Sequence, residues 1–413
     1  MTILKIKIDK ESTLIYGIVM TLSYASYATL IYSFLGNNAI LRSVLIVFVL
    51  GIDLFAVYKN SGRASSLLSI AGAIIFLYLT TYIVYPENRW VINKFVPGTI
   101  KYVMLAFFLS IASEETMYKS LKVSAYFILF CNMFEPITLY VTGGADGYMV
   151  YGMRLLIATV LLGFFYCIEE KKVHLCAMLF SMVLILIYGN RSALLISVIV
   201  FLIQYVFFTN KAKRWIRTIA LVVAIASAIL LLSGDILISL SKVLENAGIS
   251  SRTINILLSG AEAVTNNTGR SVIWGNCQKA IIEKPWTGYG IGGERNLYLL
   301  GTQYISVLGG VYAHNFCYEI LLDFGVVIGS LVLLIIAWKS LCIMKSNRLV
   351  LIKQLFTILF LATAFKLWFS SSIWSDIDVY VCLGVAMNYY RSVKTYKLRV
   401  NYFKSNEMEE SEQ

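Results

Sequence analysis

Apolar and polar positions in this chain are sorted into long blocks. Apolar runs of about 16 to 23 residues recur with charged punctuation between them, each long enough to cross a hydrocarbon layer roughly 30 Å thick as a helix. They fall at 14–35, 41–58, 66–85, 98–113, 121–142, 148–168, 173–189, 192–208, 216–233, 316–338, 350–372 and 377–390. The pattern predicts an all-α integral membrane protein with about 12 transmembrane helices. The fourth and twelfth blocks are short for a full crossing. One long polar stretch, 234–313, separates the ninth and tenth blocks. Within it Ile236, Leu240, Val243, Leu244 and Ala247 keep helical spacing, as do Ile273, Cys277, Ala280 and Ile281 before Pro285. Short amphipathic helices are therefore expected in this loop.

The blocks divide a single membrane domain into helices one to nine (1–233), the polar loop (234–313), helices ten to twelve (314–392) and a tail (393–413) expected to have no fold of its own. The first block is longer than a signal-peptide core and lacks a small-x-small cleavage site, so it is expected to remain as the first span.

Composition agrees with this reading. Hydrophobic residues make up 59% of the 413, charged residues 14%, and there are four prolines, a balance too apolar for a soluble protein of this length. The formal charge of +12 does not point to nucleic acid, because the basic residues cluster between apolar blocks, where Lys and Arg fix topology. With the N-terminus inside, every inner segment holds at least two Lys or Arg, from Lys59 and Arg63 to Lys211, Lys213, Arg214 and Arg217. That orientation puts both termini in the cytoplasm and the 234–313 loop on the periplasmic or extracytoplasmic side. None of the seven cysteines forms a C-x-x-C pair. Only Cys277 and Cys317 are placed where they could meet on one wet face, which makes them the candidate disulfide.

Ionised groups at membrane depth are costly, so they are candidates for function. Arg154 follows GGADGYMVYGM at an outer helix end, Arg191 lies in YGNRSALL between two spans, and Lys366 falls inside the eleventh. Arg154 either snorkels to headgroups or meets a ligand. Lys366 is expected to pair with an acid such as Asp323 or Asp376. Arg191 is pinned by a turn of about three residues, and a guanidinium fixed at that lip can hold a phosphate in a fork. Arg270 in TGRS can supply a second fork, although one arginine in a long wet loop is also ordinary surface.

There are two histidines, which nearly excludes a histidine-built metal site. His174 is expected at the surface of an inner helix start. His314, in AHN where the loop enters the tenth span, can take a proton near neutral pH. GYGIGG superficially matches a dinucleotide loop, but no strand–turn–helix unit surrounds it. Its glycines are expected to form irregular backbone lying close to a ligand or to another helix end. Asp376 and Asp378 in SDID are read as structural despite their D-x-D spacing.

Four ordered blocks, NRSALL, GRSVIW, KPWTGYGIGG and AHNFCYEILLDFGVVIG, lie between about residues 189 and 330. As a set they resemble the O-antigen ligase and polymerase superfamily of bacterial envelope glycan assembly. The resemblance implies a metal-independent membrane glycosyltransferase without a cofactor. Its donor would be an undecaprenyl-diphosphate-linked oligosaccharide, used at the outer face of the bacterial cytoplasmic membrane. It maps the catalytic set to Arg191, Arg270 and His314, with Arg154, Tyr289, Gly290, Asn315 and Glu319 as substrate-binding residues. Asn190 stands where many relatives have Ser. Glu319 is at i+5 from His314, so Tyr318 at i+4 is the better-placed neighbour.

The leading functional expectation is a polysaccharide polymerase that joins a lipid-linked chain to a lipid-linked repeat unit, for O-antigen or capsule. The alternative is a ligase that moves the finished chain to lipid A core; membrane lipid, a chain-length regulator and a flippase are the expected partners. A flippase reading is disfavoured by the absence of the internal repeats common in transporter folds.

Overall fold

The computed structural model describes residues 9–36, 38–142, 148–187, 190–208, 270–297, 299, 311–369 and 371–411. All regular structure among them is helical. Thirteen α-helices follow in order: α1 Lys10–Leu22, α2 Tyr24–Leu35, α3 Ala39–Lys59, α4 Ala64–Val84, α5 Arg89–Ile111, α6 Glu114–Thr142, α7 Tyr148–Glu169, α8 Lys172–Ile187, α9 Arg191–Phe208, α10 Arg270–Glu283, α11 Phe316–Met344, α12 Val350–Phe369 and α13 Ile377–Ser411.

Six described helices are long and apolar enough to cross a membrane, seven if the bent pair α1–α2 is one span, and α8 and α9 are shorter apolar helices. The expected ninth span, 216–233, and the helix at 236–247 lie outside the described residues. The expected first span is broken at Ser23, where α1 and α2 meet at 60°. Polar contacts surround this break: Thr21 donates to Asp53 Oδ1 at 2.9 Å, and Asn132 Nδ2 donates to Ser26 Oγ at 2.9 Å. The fourth block, short in the sequence, sits in the 23-residue α5. The tail expected to be unstructured continues α13 to Ser411, with neither Gly nor Pro after Gly384 to stop it.

The bundle is organised around α7, which packs against α6, α8, α9 and α12. Tyr151, Leu155, Leu156, Ala158, Leu161, Leu162, Phe164 and Phe165 are all buried on it. By contrast, α3 and α4 bury only 17% of their apolar windows, as expected of helices that face lipid. Interhelical approach in a membrane relies on small residues, and Gly384 of α13 illustrates it: a Cβ there would lie 2.7 Å from Ala106 O of α5.

Charges inside the bundle are held by partners. Lys366 of α12 donates to Asp376 Oδ1 at 3.0 Å and to Asp378 Oδ2 at 2.7 Å, so the expected acid is Asp376, joined by Asp378. Arg154 pairs with Glu135 and donates to Ala25 O. The sequence reading missed buried Asp53 and Glu135 and half-buried Lys101, whose ammonium lies 3.7 Å from the Tyr24 ring centroid. His174 is also not at the surface. It is 2% exposed, with Nδ1 2.6 Å from the Tyr126 hydroxyl and Nε2 3.1 Å from Glu169, because the tight turn after Glu169 folds α8 back against α6 and α7.

Removing one partner of a buried ionic set leaves charge without compensation. Lys366→Ala is expected to lower stability by about 3–5 kcal/mol, read as a fall in thermal unfolding temperature in detergent. An unchanged temperature would remove the triad from the fold's supports.

Candidate functional site

Pro285 stops α10, and the chain then turns through the glycines and runs along α11, which is itself broken at Gly325 (φ 75°, ψ 174°). The two breaks complement each other. An unbroken helix would pair Val326 N–H with Leu322 O. Instead Val326 N donates to Pro285 O at 2.6 Å, Leu322 O accepts from Tyr289 N at 2.6 Å, and Asp323 O accepts from Gly290 N at 3.0 Å. The backbone groups freed by the break are thus satisfied by the turn. Gly288 (φ 63°) and Gly325 make the contact sterically feasible: a Cβ on Gly288 would lie 2.5 Å from Leu322 O, and one on Gly325 2.7 Å from Pro285 O. Of the two expectations for this loop, the structure places it against a helix.

The far side of the turn is held by the α4–α5 connection. Tyr85 donates to Thr287 O at 2.9 Å, Asn88 Nδ2 to Tyr289 O at 2.7 Å, and Trp90 Nε1 to Asn296 Oδ1 at 2.8 Å. Tyr289 and Gly290, expected to bind substrate, spend their N–H groups on α11. The Tyr289 hydroxyl faces Glu283 Oε2 at 3.2 Å. A Cβ on Gly290 would lie 2.5 Å from the Tyr85 ring.

His314 stands at the entrance to α11 with φ 52°, a left-handed conformation in which His is among the few enriched side chains. Asn315 follows as the N-cap, its Oδ1 accepting from Cys317 N at 2.9 Å, and is 3% exposed. The imidazole lies against Tyr312, ring centroids 3.8 Å apart and planes tilted by 35°. Behind Tyr312 comes Arg295, whose guanidinium carbon lies 5.3 Å from the Tyr312 centroid and 5.2 Å from that of Phe95 on α5. A column Phe95–Arg295–Tyr312–His314 results, in which a cation is held between two ring faces. Burial, then the charges of Arg270 and Arg295, push the His314 imidazole down to about 4. The ring is therefore neutral at pH 7, and its Nδ1 has no hydrogen-bond partner among the described residues.

Three carboxylates lie beneath this column. Glu319 accepts from Ser372 Oγ and from Ile373 N, the latter at 2.9 Å. Asp323 accepts from Trp374 Nε1 at 2.6 Å and Gly292 N at 3.2 Å. Glu294 lies 3.5 Å from Arg295 Nε and is wholly buried, which pushes its carboxyl upward against the opposing pull of Arg295. Glu319 thus reaches the segment after α12, while Tyr318 accepts from Gln278 Nε2 of α10 at 2.8 Å. No three His, Cys, Asp or Glu side chains among the described residues are grouped so as to hold a metal ion.

Of the expected catalytic set, Arg270 and His314 come together at the α10–α11 end. Arg270 opens α10, and Trp274 one turn later donates to Ala313 O at 3.2 Å. Arg191 is the first residue of α9; its side chain lies outside the described residues. Asn190 N-caps α9, its Oδ1 accepting from Ala193 N at 3.1 Å and Ser192 Oγ at 2.9 Å. Arg154 is engaged by Glu135 on α6, a position that gives it a structural partner. The candidate disulfide is absent: Cys277 and Cys317 are both free thiols, and Cys277 is packed among Ile273, Ala280 and Leu322. Arg295 was missed because a lone arginine after a glycine run carries no period or spacing.

These helices and this cationic, histidine-bearing entrance define a multi-spanning membrane protein with a polar site at one end of its bundle. Residues 176–334, from α8 to the middle of α11, match the family described as O-Antigen ligase. That match supports the resemblance to the O-antigen ligase and polymerase superfamily, whose members are membrane glycosyltransferase-like enzymes, and indicates an O-antigen ligase- or polymerase-like function. No curated protein matches the chain.

Gly325→Ala sets a Cβ into the Pro285 carbonyl at a positive φ, and a loss of about 1–3 kcal/mol is expected. Thermal unfolding together with faster proteolysis of the 285–297 turn would record it. A variant as stable as the parent would separate the turn from α11.

With two histidines in the chain, NMR titration of ring-labelled protein reads His314 directly. Its midpoint is expected near 4, and Arg270→Ala or Arg295→Ala should raise it. Since the folded value lies below the ordinary 6.5, the unfolded chain is protonated first on acidification. Stability held by the neutral ring is thus lost as pH falls from about 6.5 to about 4. A midpoint near 6.5 in the parent would contradict the packing around the ring.

Proposed function

We propose that the chain transfers a glycan from an undecaprenyl-diphosphate donor to a sugar hydroxyl at the outer face of the bacterial cytoplasmic membrane, with both termini inside. One observation carries this reading: a neutral, half-buried imidazole at the helix entrance lies within the fields of two arginines. Displacing a diphosphate from an anomeric carbon builds negative charge on the leaving oxygens, and preorganised guanidinium groups stabilise that charge where it develops. His314 takes the proton of the attacking hydroxyl. A base held down by Arg270 and Arg295 is weak while the site is empty; a bound diphosphate offsets their charges and raises it, so the base strengthens when the donor is in place.

In this reading Arg191 joins Arg270 at the diphosphate, and Arg295 positions the Tyr312–His314 ring pair. The polymerase reading takes a lipid-linked repeat as acceptor, with a flippase and a chain-length regulator acting beside it. The description of the matching family favours the ligase reading, in which the acceptor is a lipid core. Reconstituted protein given lipid-linked repeat alone separates them: a ladder of longer products marks a polymerase, and transfer solely to added lipid core marks a ligase.

His314→Ala is expected to abolish transfer while leaving donor binding intact. Arg191→Ala and Arg270→Ala should each lower turnover by about 10²-fold or more. Normally expressed variants with parental rates would strip the altered residue of its role.

A further inference from the structure

At the end of the bundle opposite His314, four segments line a cleft of about 530 Å³ through Lys10, Glu11, Asn60, Arg63, Ser113 and Arg391. These come from the start of α1, the α3–α4 link, the α5–α6 link and α13. Three cations face one carboxylate. The 23 residues of α5 span about 34 Å at 1.5 Å per residue, close to the thickness of a hydrocarbon layer. Since the start of α5 abuts the glycine turn and its end abuts this cleft, the cleft lies at the headgroup level of the other membrane face.

Capping of α5 explains part of the arrangement. Arg63 Nη1 donates to Ile111 O, Arg391 Nη2 to Ala112 O at 3.3 Å, and Asn388 Nδ2 to Leu109 O and Ala112 O at 2.7 and 2.8 Å. Capping does not explain the rest. Each guanidinium has five N–H groups and donates one hydrogen bond among the described residues, which leaves most of both forks for a ligand. Two like charges are held beside each other: burial, then the Arg63 charge, pushes the Arg391 guanidinium down from its ordinary value. Lys10 comes from a third helix, caps nothing at α5, and adds another cation to the same cleft.

We propose that this cleft binds the phosphate group of an anionic membrane lipid. Two guanidinium forks and an ammonium converging at headgroup depth suit a phosphodiester, whose two non-bridging oxygens accept from several donors at once. A lipid phosphate also relieves the repulsion between the two arginines, and its acyl chains can run beside the lipid-facing α3 and α4. The inference is independent of the proposed glycan chemistry, because no residue of the cleft belongs to that site.

The test uses the purified full chain in nanodiscs of phosphatidylcholine with and without phosphatidylglycerol, with bound lipid counted by native mass spectrometry. Preferential retention of phosphatidylglycerol is expected. Lys10→Gln, which disturbs no cap, should weaken that retention about fivefold, and Arg63→Gln with Arg391→Gln about thirtyfold. Lys345→Gln with Arg348→Gln, basic residues away from the cleft, should leave it unchanged. Inorganic phosphate forms the second arm: if it binds the parent as tightly as the lipid does, the site serves free phosphate and the lipid assignment falls. Equal retention of both lipids, or parental retention in Lys10→Gln together with the double variant, overturns the proposal outright.

Discussion

The exchange of backbone hydrogen bonds between the glycine turn and the break in α11 is the constraint on which the candidate site depends. A membrane helix ordinarily satisfies its own N–H and C=O groups, and a break inside it is tolerable only where something else replaces the lost bonds. Here Pro285 O, Tyr289 N and Gly290 N supply the replacements. The same contact fixes the level at which the turn crosses α11. It therefore sets where Glu294 and Arg295 sit relative to His314, eleven residues before the break at Gly325. A site built from a loop gains the precision of a helix because the loop is bonded to one.

Polarity in the rest of the bundle is handled by neutralisation in place. The Lys366–Asp376–Asp378 set and the Arg154–Glu135 pair each enclose charge within its own counter-charge, so these groups are committed before any ligand arrives. The end bearing His314 differs in kind. Arg270 and Arg295 act on a neutral ring, Glu294 lies beside Arg295, and Glu319 and Asp323 are bonded to Ser372, Trp374 and the neighbouring backbone.

Much of the membrane architecture was legible in the sequence, because apolar block length reports directly on the cost of exposing polar backbone to lipid. Eleven of the blocks read from the sequence fall in described helices, and α10 carries the spacing Ile273, Cys277, Ala280 expected of it. Breaks were not legible. Neither the bend at Ser23 nor the helix that continues to Ser411 disturbs the count of apolar residues, and interior Asp53 and Glu135 were hidden inside apolar or weakly polar runs.

At the site, the sequence by itself determined which residue types are unusual in such a chain: a histidine at a helix entrance, arginines opening α9 and α10, and a run of glycines after a proline. These signals are local, since they concern composition and caps. The tertiary structure decided what each does: that the glycines bond to α11, that Asn315 and Asn190 cap, that Tyr289 faces Glu283, and that Arg295 stands behind Tyr312. Those outcomes depend on which backbone groups α11 leaves unpaired at Gly325 and on how α5 presents Phe95. The first joins the 285–290 turn to a helix break further along the chain, the second brings together segments about 200 residues apart, and no periodicity along the chain encodes either.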